Sequence, residues 1–154
     1  MDNIYAIIPV SKFKNAKTRL SPFLSEEERE SLLKVMLQDV TDTLKKHVDK
    51  IFIISRDEDV LSYAESLNVK PMLENENSNL NKALTQAMKY CKGKVRKVII
   101  VPSDIPLIGK TNLKMLIDAS KNLDFIIVPS KGGGTNMIIM KPMAIHTRFE
   151  GFSY

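Results

Sequence analysis

Three short segments hold residues whose types and spacing suit chemistry on phosphate anions. The first, Ser11-Lys12-Phe13-Lys14-Asn15-Ala16-Lys17-Thr18-Arg19-Leu20, sets four cations within eight residues. Facing a triphosphate they would neutralise several charges, and an arginine can fork onto two oxygens. Lys17 and Arg19 alternate and can point into one crevice. Taken alone, the run also reads as a solvated basic loop. The second is Pro102-Ser103-Asp104-Ile105-Pro106-Leu107, where Asp104 stands among apolar residues and prolines. A carboxylate there is costly unless compensated. Mg²⁺ suits it, since that ion takes one or two carboxylates plus substrate phosphates. The other reading is an Asx turn, with Asp104 accepting from nearby backbone N–H groups. The third is Pro129-Ser130-Lys131-Gly132-Gly133-Gly134-Thr135-Asn136. Three glycines let a backbone wrap an anion with its N–H groups. Thr135 and Asn136 add a hydroxyl and an amide suited to a carboxylate or phosphate. A flexible hairpin loop is the alternative. The segment is neither a Walker A loop nor a dinucleotide fingerprint, because a strand rather than a helix follows.

These segments need a scaffold that brings them together. Ile4–Val10 reads as a buried strand, and Ser25-Glu26-Glu27-Glu28 as a capping box opening a helix. Leu33, Met36, Leu37, Val40 and Leu44 follow at helical spacing. Ile51–Ile54 reads as a strand, Val60 to Leu67 as a helix and Val69–Leu73 as a weak strand. Leu80, Ala83, Leu84, Ala87 and Met88 mark a helix with Ser78 as its cap. Val98–Val101 is a strand, and a helix follows Thr111. Phe125–Val128 and Met137–Met140 are strands on either side of the glycine turn. Strands apolar on both faces and separated by helices imply a mostly parallel sheet in a three-layer α/β/α sandwich. Loops leaving the carboxyl ends of such strands line one edge, where crevices open. All three segments would leave that edge.

Composition narrows the partners. The chain of 154 residues suits one domain. Its 44% hydrophobic and 27% charged residues describe a globular protein, and no apolar run nears membrane-spanning length. A net charge of +5 fits anionic ligands. With aromatics at 6% and no arginine-rich arm, small anions are favoured over nucleic acid. The lone Cys91 cannot form an internal disulfide, which points to the cytoplasm. It falls on an apolar helix stripe and reads as packing. His47 closes a polar helix and reads as surface. His146 has no Ser or Cys partner in a recognisable motif, so a hydrolase triad is unsupported.

The run Ile7-Ile8-Pro9-Val10-Ser11-Lys12-Phe13-Lys14-Asn15-Ala16-Lys17-Thr18-Arg19-Leu20 resembles the opening of the archaeal 2-phospho-L-lactate guanylyltransferases. So do Leu80-Asn81-Lys82-Ala83-Leu84, Pro102 to Leu107 and Gly133-Gly134-Thr135-Asn136. Phe149-Glu150-Gly151-Phe152-Ser153 looks like that family's acceptor motif. The resemblance spans the chain in order. It implies the nucleotide-diphospho-sugar transferase (GT-A-like) fold and transfer of GMP from GTP to 2-phospho-L-lactate, or a related acid such as phosphoenolpyruvate. Pyrophosphate would leave, and the product would serve deazaflavin coenzyme biosynthesis. On this basis Lys17 and Arg19 hold the triphosphate and Asp104 the Mg²⁺. Pro9, Val10, Lys12 and Ser103 join the nucleotide site, with Asn81 near the base or ribose. Gly134, Thr135, Asn136, Gly151 and Ser153 would bind the acceptor. Family members continue past Tyr154, which implies a chain without its C-terminal segment and a second acidic metal ligand outside it. Incomplete edge strands would favour a homodimer. A nucleotide-sugar glycosyltransferase is the nearest rival, but it prefers an Asp-x-Asp pair, and Pro106 occupies the second position. A noncatalytic nucleotide-binding module is the rival from another class.

Overall fold

The computed structural model describes residues 3–15, 20–103, 110–129, 135–145 and 148. Six strands form one sheet in the order β3-β2-β1-β4-β6-β5. They are β1 (Ile4–Pro9), β2 (Lys50–Ser55), β3 (Lys70–Leu73), β4 (Lys97–Ile100), β5 (Phe125–Pro129) and β6 (Thr135–Met140). Four helices accompany them: α1 (Glu26–Leu44), α2 (Glu58–Ser66), α3 (Leu80–Cys91) and α4 (Lys110–Ser120).

β1 lies at the centre, parallel to β2 on one side and β4 on the other. Its residues are buried except for Tyr5, which is partly covered. That is the burial expected of a strand flanked by parallel neighbours with layers on both faces. Alternation divides its side chains. Ile4, Ala6 and Ile8 join Leu33, Leu37 and Val40 of α1, Val60 and Ala64 of α2, and Leu113 and Ile117 of α4. Ile7 faces the other way, toward Ala83, Leu84, Ala87, Met88 and Cys91 of α3. The sandwich is therefore asymmetric, with three helices on one face and one on the other. α3 sits apart because the chain reverses its march across the sheet between β3 and β4. A right-handed crossover then passes over the opposite face, whereas α4, which joins β4 to β5 in that same direction, packs on the face of α1 and α2 and does not follow that hand.

β6 departs from the parallel pattern. It inserts between β4 and β5 and runs antiparallel to both. β5 consequently points the same way as β1 and β4. The carboxyl ends of β1, β4 and β5 and the first residue of β6 share one edge, as the loop reading requires. At that edge the β5–β6 ladder shifts register: Val128 pairs with Met137, but Pro129 pairs with Thr135, leaving Asn136 as an extra residue. Pro129 has no N–H to donate to the ladder, which makes this a natural place for a bulge.

Helix α1 begins as its sequence indicates. Glu28 N–H donates to Ser25 Oγ at 3.1 Å and Ser25 N–H to Glu28 Oε1 at 3.0 Å. These hydrogen bonds, the backbone one first, hold the Glu28 carboxyl below its ordinary value. α3 is capped one residue later than the sequence suggests. Asn79, not Ser78, accepts from Lys82 N–H at 3.0 Å. Cys91 is fully buried against the sheet, and burial pushes its thiol up to about 11. His47 is half-buried rather than on the surface, with Nε2 sealed from solvent. His146 lies outside the described residues. No described helix is long and apolar enough to cross a membrane.

Candidate functional site

The loop after β1 is fixed at two points before its basic residues diverge. Val10 N–H donates to Ile54 O at 3.0 Å, extending the β1–β2 ladder by one residue. Phe13 is the second anchor. Its N–H donates to Asp57 Oδ2 at 3.0 Å, 44 residues along the chain. Asp57 also caps α2, accepting from Asp59 N–H through Oδ1 at 3.0 Å. The Phe13 ring is 3% exposed and meets Tyr63 edge-on, with centroids 6.1 Å apart. Lys34 Nζ lies 5.1 Å from the Phe13 centroid and 5.5 Å from that of Tyr63. Tyr63 hydroxyl donates to Lys34 O at 2.8 Å, tying α2 to α1. A 3₁₀ turn, Phe13–Asn15, follows from this wedge, with Asn15 N–H donating to Lys12 O at 2.9 Å. Lys12 is left exposed at the edge. Lys17 and Arg19 lie outside the described residues.

The loop after β4 leaves beside it. Val101 N–H donates to Ile7 O at 3.0 Å, so Val101 stays in the sheet and buried. Pro102 and Ser103 are half-buried at the rim. Asp104 is next in sequence and lies outside the described residues. Thr135 and Asn136 are half-buried where β6 starts. Gly134, Gly151 and Ser153 lie outside the described residues. Asn81 occupies the first turn of α3, which begins at this edge because the helix runs back antiparallel to β3 and β4. Pro9, Val10, Lys12, Asn81, Ser103, Thr135 and Asn136 thus gather along one side of the sheet.

One acid of this edge is not marked by any pattern in the sequence. Glu74 follows β3, and its side chain is only 2% exposed. Its N–H donates to Ser55 O at 2.8 Å, and its Oε2 lies 3.9 Å from Nε of the exposed Arg56. Burial raises the Glu74 carboxyl above its ordinary value, opposed by the Arg56 charge and a hydrogen bond with Ser78. A folded carboxyl that holds its proton more tightly than the unfolded one makes stability fall as pH rises through that window. The advantage of wild type over Glu74→Gln in melting temperature should therefore shrink as pH rises from the ordinary glutamate range upward. Parallel melting curves of the two proteins would measure it, and a growing advantage would contradict the burial effect. Phe13 did leave a trace in the sequence, as a lone aromatic within a basic run. The bond of Asp57 to Phe13 left none, because the two residues are 44 apart in the chain.

Among the described residues, no group of three or more His, Cys, Asp or Glu side chains could hold a metal ion.

Comparison with known proteins agrees with this layout. A family model described as guanylyl transferase CofC like matches residues 4–154. A 2-phospho-L-lactate guanylyltransferase of Methanobrevibacter smithii is 78% identical over 154 residues, all of this chain and 69% of that protein. A protein of the same name from Methanobrevibacter ruminantium is 66% identical, covering 100% of this chain and 70% of its own length. Among solved structures, a protein described as a nucleotide-diphospho-sugar transferase from Desulfovibrio desulfuricans G20 superposes with a TM-score of 0.78. Its identity is 18%, over 94% of this chain and 66% of that one. Glucosyl-3-phosphoglycerate synthase from Mycobacterium tuberculosis, solved with Mn²⁺, UDP-glucose and phosphoglyceric acid, superposes with a TM-score of 0.61. It is 11% identical over 86% of this chain and 45% of that one. The structural likenesses bear on the fold alone, which is that of the nucleotide-diphospho-sugar transferases. The sequence matches identify the enzyme class: the chain belongs to the guanylyl transferase CofC-like family of nucleotidyltransferases.

Proposed function

We propose that the chain transfers GMP from GTP to 2-phospho-L-lactate or a closely related phosphorylated acid, releasing pyrophosphate, in deazaflavin coenzyme synthesis. The observation that carries this reading is the shared edge. The ends of β1, β4 and β5 and the start of β6 open together, so the basic loop, the Asp104 loop and the glycine segment have a common origin. The names of the relatives from Methanobrevibacter support the choice of nucleotide and acceptor.

An acceptor that is already a phosphate offers an anionic oxygen at neutral pH, so no general base is needed. That oxygen bonds to the α-phosphorus of GTP, the bond from the α-phosphorus to the bridging oxygen breaks, and pyrophosphate leaves with the electron pair. Catalysis is then positioning plus charge stabilisation. Lys17 and Arg19 stabilise the departing pyrophosphate, and Lys12 adds positive potential at the mouth. Thr135 and Asn136, with Gly134, Gly151 and Ser153, orient the acceptor. Asn81 at the first turn of α3 lies near the base or ribose. Asp104 would hold Mg²⁺, which supplies charge neutralisation at the phosphates when bound. A cytoplasmic home agrees with the lone buried Cys91. A homodimer agrees with the open edge strands β3 and β5, where Leu73 and Ile127 are exposed.

The test is pyrophosphate release with GTP, CTP or ATP, each with and without 2-phospho-L-lactate. Release with GTP that requires the acceptor is expected. Nucleotide binding without release would point to a binding module. A requirement for a nucleotide sugar instead would point to a glycosyltransferase.

A further inference from the structure

The edge opposite the proposed transferase site holds a cavity of about 530 Å³. Its walls come from the end of α3, the entry to β4, the turn before β5 and the exit of β6. Five cations line it, Lys92, Arg96, Lys97, Lys121 and Lys141, against one carboxylate, Asp124. The lining thus carries a local excess of positive charge at a concave place at the other end of the strands from Lys12. Strand β4 alone, four residues long, separates the two edges by about 13 Å.

The cations are incompletely neutralised. Asp124 is taken by Lys141 at 2.9 Å. Lys121 reaches Asp118, outside the cavity, at 3.5 Å. Among the described residues no carboxylate pairs with Lys92 or Arg96. Lys97 is the unusual member: it is 8% exposed and its ammonium donates to Leu123 O. Burial pulls that ammonium below its ordinary value; Asp124 opposes the shift, while Lys141 and Arg96 add to it. Burying one cation among others costs free energy unless an anion joins them. The cavity volume falls in the range of small-molecule sites. Among the described residues no aromatic lines it, so they supply none of the stacking platform that single-stranded nucleic acid uses.

We propose that this cavity is a second anion site, separate from the transferase edge, for a small molecule carrying at least two linked phosphoryl groups. Free pyrophosphate and the phosphate tail of a nucleotide share that chemistry. Lys92 and Arg96 supply the charge-assisted hydrogen bonds, and Lys97 supplies fixed positive charge from beneath.

Titration of the isotopically labelled chain with inorganic pyrophosphate, followed by amide NMR, tests this. Gly93 and Asn122 line the cavity, and their amide signals should shift saturably. In Lys92→Ala/Arg96→Ala the apparent affinity at these amides should weaken about tenfold or more, with an intermediate loss in Arg96→Ala alone. Both positions are exposed, so a melting temperature near that of wild type is expected. Any response of the Val10 amide should persist in the variants, since Val10 belongs to the other edge. A parallel titration with ATP separates the sources. Shifts with pyrophosphate alone assign the free anion, and shifts with both admit a nucleotide tail. Unmoved Gly93 and Asn122 signals, or equal affinity in wild type and double variant, would overturn the proposal.

Discussion

Asp104→Ala and the isosteric Asp104→Asn should each lower acceptor-dependent pyrophosphate release by about 10³-fold or more, with the fold retained. The expectation follows from the role proposed for this residue and from where the strand before it ends. Val101 remains in the ladder with β1, and Pro102 and Ser103 reach the rim half-buried. Asp104 is the next residue in sequence. Transfer between two phosphate-bearing substrates gathers several negative charges at one point, and a carboxylate there is tolerable only as a holder of a cation. The asparagine variant separates charge from shape. If Asp104→Asn kept full activity with Mg²⁺, the metal role of this residue would be lost. If it lost activity together with its melting transition, the role would be structural.

Phe13→Ala should have the second largest effect, and on two quantities at once. Removing a buried ring costs about 3–5 kcal/mol. The Phe13 side chain wedges between α1 and α2, so the edge contact with Tyr63 and the stacking of Lys34 disappear with it. Beyond the Val10 bond to Ile54, only its backbone bond to Asp57 would then hold the start of the basic loop. A loop displaced by an ångström commonly costs about 10²-fold in rate. Urea unfolding and steady-state kinetics measure the two effects. Phe13→Leu, which keeps most of the apolar bulk, should recover much of both. A loss of stability without a change in kcat/KM would show that the wedge does not set the loop.

The parts of this architecture legible in the sequence are those that depend on local pattern. The runs at Ile4, Ile51 and Val98 read as buried strands because both their faces are apolar. Ser25 and Glu28 announced a helix start because the two partners of a capping box are three residues apart. Local pattern could not reveal that β6 would enter between β4 and β5, since a hairpin reads the same on either side of its neighbour. Nor could it give the uneven layering, in which α4 packs with α1 and α2 although it crosses the sheet in the direction of α3. The cap of α3 was misplaced by one residue because Ser78 and Asn79 are both good caps. At the site, Lys12, Asn81, Ser103, Thr135 and Asn136 sit at the anticipated edge. Lys17, Arg19, Asp104, Gly134, Gly151 and Ser153 were nominated from the sequence and lie outside the described residues. Glu74 and Asp57 were missed because their significance lies in partners brought close only by folding.

The extra residue at Asn136 has an implication for how such enzymes could change acceptors. Beyond it, Met137 to Met140 alternate strictly between the two cores, and any slip there would exchange their faces. The irregular step next to Pro129 absorbs phase. Side chains at 135 and 136 can therefore be exchanged, or even gain a neighbour, without the buried half of the strand registering the change. Were these two residues to contact the acceptor, as proposed, substrate choice and folding would be mechanically uncoupled over that span.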